Sequence, residues 1–188
     1  VTYWYNPETN SYGRNLKSAD DTPYVRGATL DHIEYGQQQG DIYSATVKPM
    51  ARVDFDTAER CLEATASLCA AASIDTNRQY WYDTPWDMNC KAGTTCDAGR
   101  LSPTFFTRTR LVKVSTSTLQ SDGSYHPIDS WALHHKWGTA DSDYQLLLDS
   151  ITHTALAGAT PITLPPTTLG YDTRIGRLDR TGDGRSPY

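Results

Sequence analysis

Short runs of β-branched and aromatic residues, cut apart by turn signals, recur along most of this 188-residue chain and leave little room for long helices. Val1–Tyr5 is one run, stopped by Asn6-Pro7, and residues 28–35 form another that ends at Gly36. Ile42–Val47 and Ala51–Phe55 follow. Thr104–Leu119 carries Phe106, Leu111, Val112 and Val114 in a longer β-rich stretch. Residues 120–124 then supply a hairpin turn centred on Asp122-Gly123, with Tyr125–Trp137 as the returning strand. Tyr144–Thr154 and Ile162–Tyr171 complete the series. This succession predicts a mainly β fold of antiparallel sheets, either a sandwich or one extended sheet, in a single domain over residues 1–188.

One window breaks the rhythm. Residues 57–101 hold all four cysteines, Cys61, Cys69, Cys90 and Cys96, together with an alanine-rich stretch and a cluster of rings at 80–86. We read it as a stapled, partly helical insert between two strands. The spacings are too loose for a usual structural zinc site and no histidine lies inside the window, so two disulfides are expected, and with them an oxidising compartment. Asp56-Thr57-Ala58-Glu59 followed by alanines reads as a capped helix start. An unbroken helix would hold Cys61 and Cys69 about 12 Å apart, whereas a disulfide needs Cα atoms within about 7 Å. Two arrangements follow. Either the helix is broken and neighbours pair, as Cys61–Cys69 and Cys90–Cys96, or it is intact and the bridges cross; neighbour pairing is the favoured expectation.

Composition narrows the function classes. A net charge of −5 argues against a general nucleic-acid or anionic-membrane binder, which needs a basic surface. No run approaches the roughly 20 apolar residues of a membrane span. The 12 Tyr, 5 Trp and 3 Phe exceed what a disordered chain carries. The chain opens at Val1 with no initiator Met, which suggests a mature or excised segment of an exported polypeptide.

Four constellations have chemical potential. Rings clustered beside disulfides usually pack around them, but Trp81, Tyr82 and Trp86 would alternatively form an exposed sugar-stacking platform for a cell-surface glycan. Residues 179–184 alternate carboxylates and glycines, so Asp179 and Asp183 are candidate calcium ligands, against the simpler reading of a polar turn. Asp54 and Asp56 share a face of a strand and Glu34 belongs to a neighbouring run, which raises a carboxylate-dependent glycoside hydrolase as a further alternative. His134 and His135 are adjacent and point to opposite faces of a strand. Asp129 and His135 stand about 20 Å apart along one, so a triad with Ser130 is not expected.

The order of the segments carries a resemblance. Val1–Asn15, Leu30–Gly36, Arg52–Asp56 leading into Glu59-Arg60-Cys61, Ser102–Thr107 with Arg110-Leu111, Asp129–Leu133, Leu148–Thr154 and Leu164–Tyr171 together resemble a segment of the large secreted RHS-repeat proteins of actinobacteria. These are related to the B components of insecticidal toxin complexes and, distantly, to teneurins. Tyr171–Leu178 is similar to the tyrosine–aspartate repeat of that family, with one extra residue before the glycine. The resemblance implies an open, shell-like sheet that is secreted or cell-wall associated, packs against the rest of its own polypeptide or an encapsulated toxin, and performs no catalysis. No cofactor is expected, calcium being the exception raised above.

Overall fold

The computed structural model describes residues 1–44, 46–140 and 143–172. Eight strands form one antiparallel sheet: β1 (Thr2–Gly13), β2 (Asp21–Tyr35), β3 (Ala51–Glu59), β4 (Thr109–Leu119), β5 (Tyr125–Ala140), β6 (Asp143–Ala155), β7 (Ile162–Thr163) and β8 (Thr167–Thr168). Spatial order follows chain order from β1 to β7, and β8 pairs beside β7 on β6. The fold is therefore an extended meander rather than a sandwich.

Local chemistry explains most of the strand ends. The Asp-Gly turn closes β4 onto β5, with Gly123 at φ +80 and the Ser124 N–H donating to the Asp122 carboxylate. Asn6-Pro7 does not stop β1. That strand lies at the sheet edge, where a missing N–H costs no ladder bond, and it continues to Gly13 opposite β2. Among the described residues of Ile42–Val47 there is no strand: turns close at Gln38–Asp41 and Asp41–Ser44, and Tyr43 takes φ 64.

Register sorts side chains by character. Arg52, Asp54 and Asp56 of β3 oppose Ser117, Ser115 and Lys113 of β4, and Ser115 in turn opposes Ser130 of β5. The other face carries Val53 and Phe55 opposite Thr116 and Val114, then Trp131 and Leu133 opposite His153 and Ile151. One face is polar and the other largely apolar. Among the described side chains of β3, β4 and β5 none is fully buried.

The buried apolar core lies elsewhere. Cys61, Ile74, Trp81, Cys90 and Cys96 are the buried hydrophobic residues among those described, and all belong to the excursion between β3 and β4. That excursion spans residues 60–108, with its base closed by the Arg60 N–H donating to the Arg108 carbonyl at 2.9 Å. The helix start expected at Asp56–Glu59 is overturned: these residues extend β3 and pair with Thr109–Lys113. Tertiary pairing overrides the local cap signal. The helical turns come later, as α1 (Ile74–Asn77) flanked by 3-10 turns at Ala71–Ser73 and Arg78–Tyr80. The insert is stapled by neighbour bridges, Cys61–Cys69 and Cys90–Cys96, with Cα separations of 5.4 and 5.8 Å.

Candidate functional site

The insert sits where the sheet splits. β2 pairs with β3 only through residues 32–35 opposite 51–54, so the rest of the β1–β2 ribbon diverges and leaves a wedge. Backbone groups of the insert fill it. Ser11 donates to the Cys90 carbonyl at 3.0 Å, Gly13 to Arg100 at 2.9 Å, and the Cys96 N–H to the Ser18 carbonyl at 2.9 Å. The Asn10 side chain bridges both sides, accepting from the Cys90 N–H at 2.7 Å and donating to the Met88 carbonyl. The Tyr24 hydroxyl accepts from the Thr104 N–H and donates to the Thr104 carbonyl, each at 2.7 Å. A peptide edge that would otherwise face solvent unpaired is thereby satisfied.

Charges finish the joint. Arg26 is buried, 3.5 Å from the Glu8 carboxylate, with its guanidinium 4.2 Å over the Phe106 ring and 5.2 Å over Trp86, and it donates to Asn89 at 3.0 Å. Burial holds its pKa below the usual arginine value, against the pull of Glu8. Glu8 also accepts from the Arg108 N–H. On the β3 side, Glu59 accepts from the Trp81 indole at 3.1 Å and pairs with Arg108 at 3.0 Å. Burial nevertheless raises its carboxyl above the ordinary value, more than Arg108 and Trp81 lower it. Arg60 and Asp83 form a further pair across the base of the insert.

The three rings considered for sugar stacking are not brought together as a platform. Trp81 is 1% exposed and packs on Cys61 and Ile74. Trp86 donates its indole N–H to Asp75 at 2.9 Å and lies edge-on to Phe106. Tyr82 alone stays open, at 41% exposure, and stacks on Tyr144 of β6 with centroids 4.3 Å apart and planes 25° from parallel. Trp137 of β5 meets Tyr82 edge-on at 5.2 Å. A mini-core built on the disulfide at Cys61 accounts for two of the rings, and a tether to the far end of the sheet accounts for the third.

The acids are engaged in pairs. Arg52 holds Asp54 at 2.6 Å and Lys113 lies 3.4 Å from Asp56, while Glu34 is 3.4 Å from His32. Asp129 meets His153 at 2.7 Å, not His135, and the His153 ring stacks on Trp131 at 5.0 Å. Ser130 points to the opposite face, so no nucleophile joins this pair. His134 and His135 fall at a register shift, with His135 beside Arg110 at 3.3 Å. Burial, then Arg110, lowers the His135 pKa. Among the described residues no group of three or more histidine, cysteine or acidic side chains is placed to hold a metal. Asp179 and Asp183 lie outside the described residues, as does most of the Tyr171–Leu178 echo.

No known protein family, curated protein or solved structure matches the chain.

Sequence reasoning missed the residues that make the joint: Glu8, Arg26, Glu59 and Arg108. Their partners lie far along the chain, and nothing local marks a charged strand residue as buried. A faint signal exists in Glu8 and Arg26, which fall near one another once the β1–β2 hairpin is registered around residues 14–20. Tyr144 and Trp137 were readable only as strand residues.

Proposed function

We propose that this chain is a non-catalytic structural module of a secreted RHS-type shell protein, a sheet panel whose apolar face packs against the rest of its own polypeptide or an enclosed toxin. The observation that carries the reading is the two-sided sheet: Arg52, Asp54, Asp56, Lys113, Ser115, Ser117 and Ser130 share one face, and Val53, Phe55, Val114, Trp131, Leu133 and Ile151 share the other, where they stay half-buried beside Thr116 and the Asp129–His153 pair. Burying apolar surface yields about 25 cal/mol per Å², so a face of this breadth is stabilised strongly by a second layer. The paired acids favour a scaffold over a hydrolase, since Glu34, Asp54, Asp56 and Asp129 each already have a cationic or imidazole neighbour. Two disulfides fit an exported protein.

Hydroxyl-radical footprinting of the isolated chain against a longer secreted polypeptide containing it tests the reading. Phe55 and Trp131 should lose labelling several-fold in the longer protein, with exposed Tyr3 and Tyr43 as internal references. Equal labelling in both would refute it.

A further inference from the structure

Tyr82 and Tyr144 form a contact that packing alone does not require. They come from the insert and from β6, joined by no disulfide, and their rings lie nearly parallel at 4.3 Å while 41% and 43% exposed. An oxidant in solvent can reach both. Burial, with the neighbouring Glu63 carboxylate second, keeps the Tyr82 phenol protonated beyond its usual range, and Glu63 is a nearby base for the proton released on oxidation. Trp137 stands edge-on to both rings, at 5.2 and 6.3 Å. Tyr3, Tyr5 and Tyr43 are more exposed, at 55%, 58% and 69%, and none of them stacks on another tyrosine.

We propose that Tyr82 and Tyr144 are an oxidative modification site, in which a peroxidase using hydrogen peroxide couples the two phenols into a dityrosine bridge. Each ring loses one hydrogen atom, as a phenolic proton and an electron, to give a phenoxyl radical with spin on the carbon ortho to oxygen. The ortho carbons couple through a new C–C bond, and the ring hydrogens displaced there return to the oxygens to restore both phenols. Peroxide accepts the two hydrogen atoms lost overall and leaves as two waters. The product is a covalent strap from the insert to β6, which the disulfides do not provide: Cys61–Cys69 and Cys90–Cys96 each close a loop within the insert.

The test is treatment of the intact chain with horseradish peroxidase and hydrogen peroxide, then reduction, trypsin digestion and mass spectrometry. The expected product joins the peptides Gln79–Lys91 and Trp137–Arg174, lighter than their sum by two hydrogens, and the monomer gains dityrosine fluorescence. Tyr82→Phe and Tyr144→Phe preserve a ring for packing and should each abolish that fluorescence and the linked peptide, with the far-ultraviolet circular dichroism unchanged. Oxidation confined to Trp137, hydroxylated tyrosines without a link, or links involving Tyr3, Tyr5 or Tyr43 in place of this pair would overturn the proposal. So would fluorescence that survives in both variants.

Discussion

The Glu8–Arg26 pair offers a quantitative test of how the insert is held. Their side chains are 13% and 4% exposed and 3.5 Å apart. At an effective dielectric constant near 20, two unit charges at that distance attract by about 5 kcal/mol. Desolvation offsets much of this, so the net worth of the pair is small while the cost of removing one partner is large, about 3–5 kcal/mol, because the other charge stays buried alone. Arg26→Met additionally gives up the contacts over Phe106 and Trp86, about 1–2 kcal/mol. Glu8→Gln keeps a carbonyl oxygen for the Arg108 N–H but strands the guanidinium. Urea unfolding followed by tryptophan fluorescence reads all four members of the cycle, with Trp86 as a reporter next to Arg26. Each single variant should lose several kcal/mol. The double variant should be less destabilised than the sum by at least about 2 kcal/mol. Single variants within about 0.5 kcal/mol of the parent, or strictly additive losses, would show that the pair does not fasten the insert.

Three further outcomes follow from the same joint. Gly13→Ala should destabilise by about 1–3 kcal/mol, because a Cβ there meets the Lys17 carbonyl at 2.8 Å and the Leu101 side chain at 2.7 Å; an unchanged urea midpoint would contradict the close docking of residues 96–101. Glu59 has a folded pKa raised above its ordinary 4.5, so between 4.5 and the raised value the folded chain binds more protons than the unfolded one, and this group's stabilisation is lost as pH rises through the raised value. Urea midpoints measured from acid to neutral pH should therefore fall less with pH in Glu59→Gln than in the parent, and an identical slope would defeat the assignment. Replacing both Cys61 and Cys69 by serine should cost about 2–3 kcal/mol, with amide exchange accelerating in residues 60–90 well before β4 and β5; uniform acceleration across the sheet would show that the insert and sheet unfold as one unit.

The sheet was legible where its signals are local. Asp122-Gly123 forces a turn, the β-branched run at 109–119 needs a flanking partner, and β5 supplies it. The boundary errors share one cause. Asp56–Glu59 carries a helix-cap pattern, yet a strand 50 residues downstream claims it, and Ile42–Val47 has strand composition without a strand among its described residues. Pro7 reads as a stop only if its position at the sheet edge is unknown. Cα geometry along a helix leaves two disulfide arrangements open; the helix forms elsewhere, and the favoured neighbour pairing is the one present. In the candidate site, sequence located the rings at 80–86 but not their fates: Trp81 turns inward because Glu59 offers its indole a partner, and Tyr82 turns outward because Tyr144 awaits it.

A sheet whose spatial order matches its chain order can assemble by successive addition, each strand finding its mate in the one just laid down, as a zip closes from one end. The exception is β3 onto β4, where the chain must first span residues 60–108, roughly 2 kcal/mol dearer in closure entropy than the turn at 120–124. Oxidation of the cysteines shrinks that excursion. Joining the two halves of the meander is therefore the costliest closure in the sheet, and the disulfides, which tie off loops of only 8 and 6 residues inside the excursion, lower that cost by about 0.3 kcal/mol.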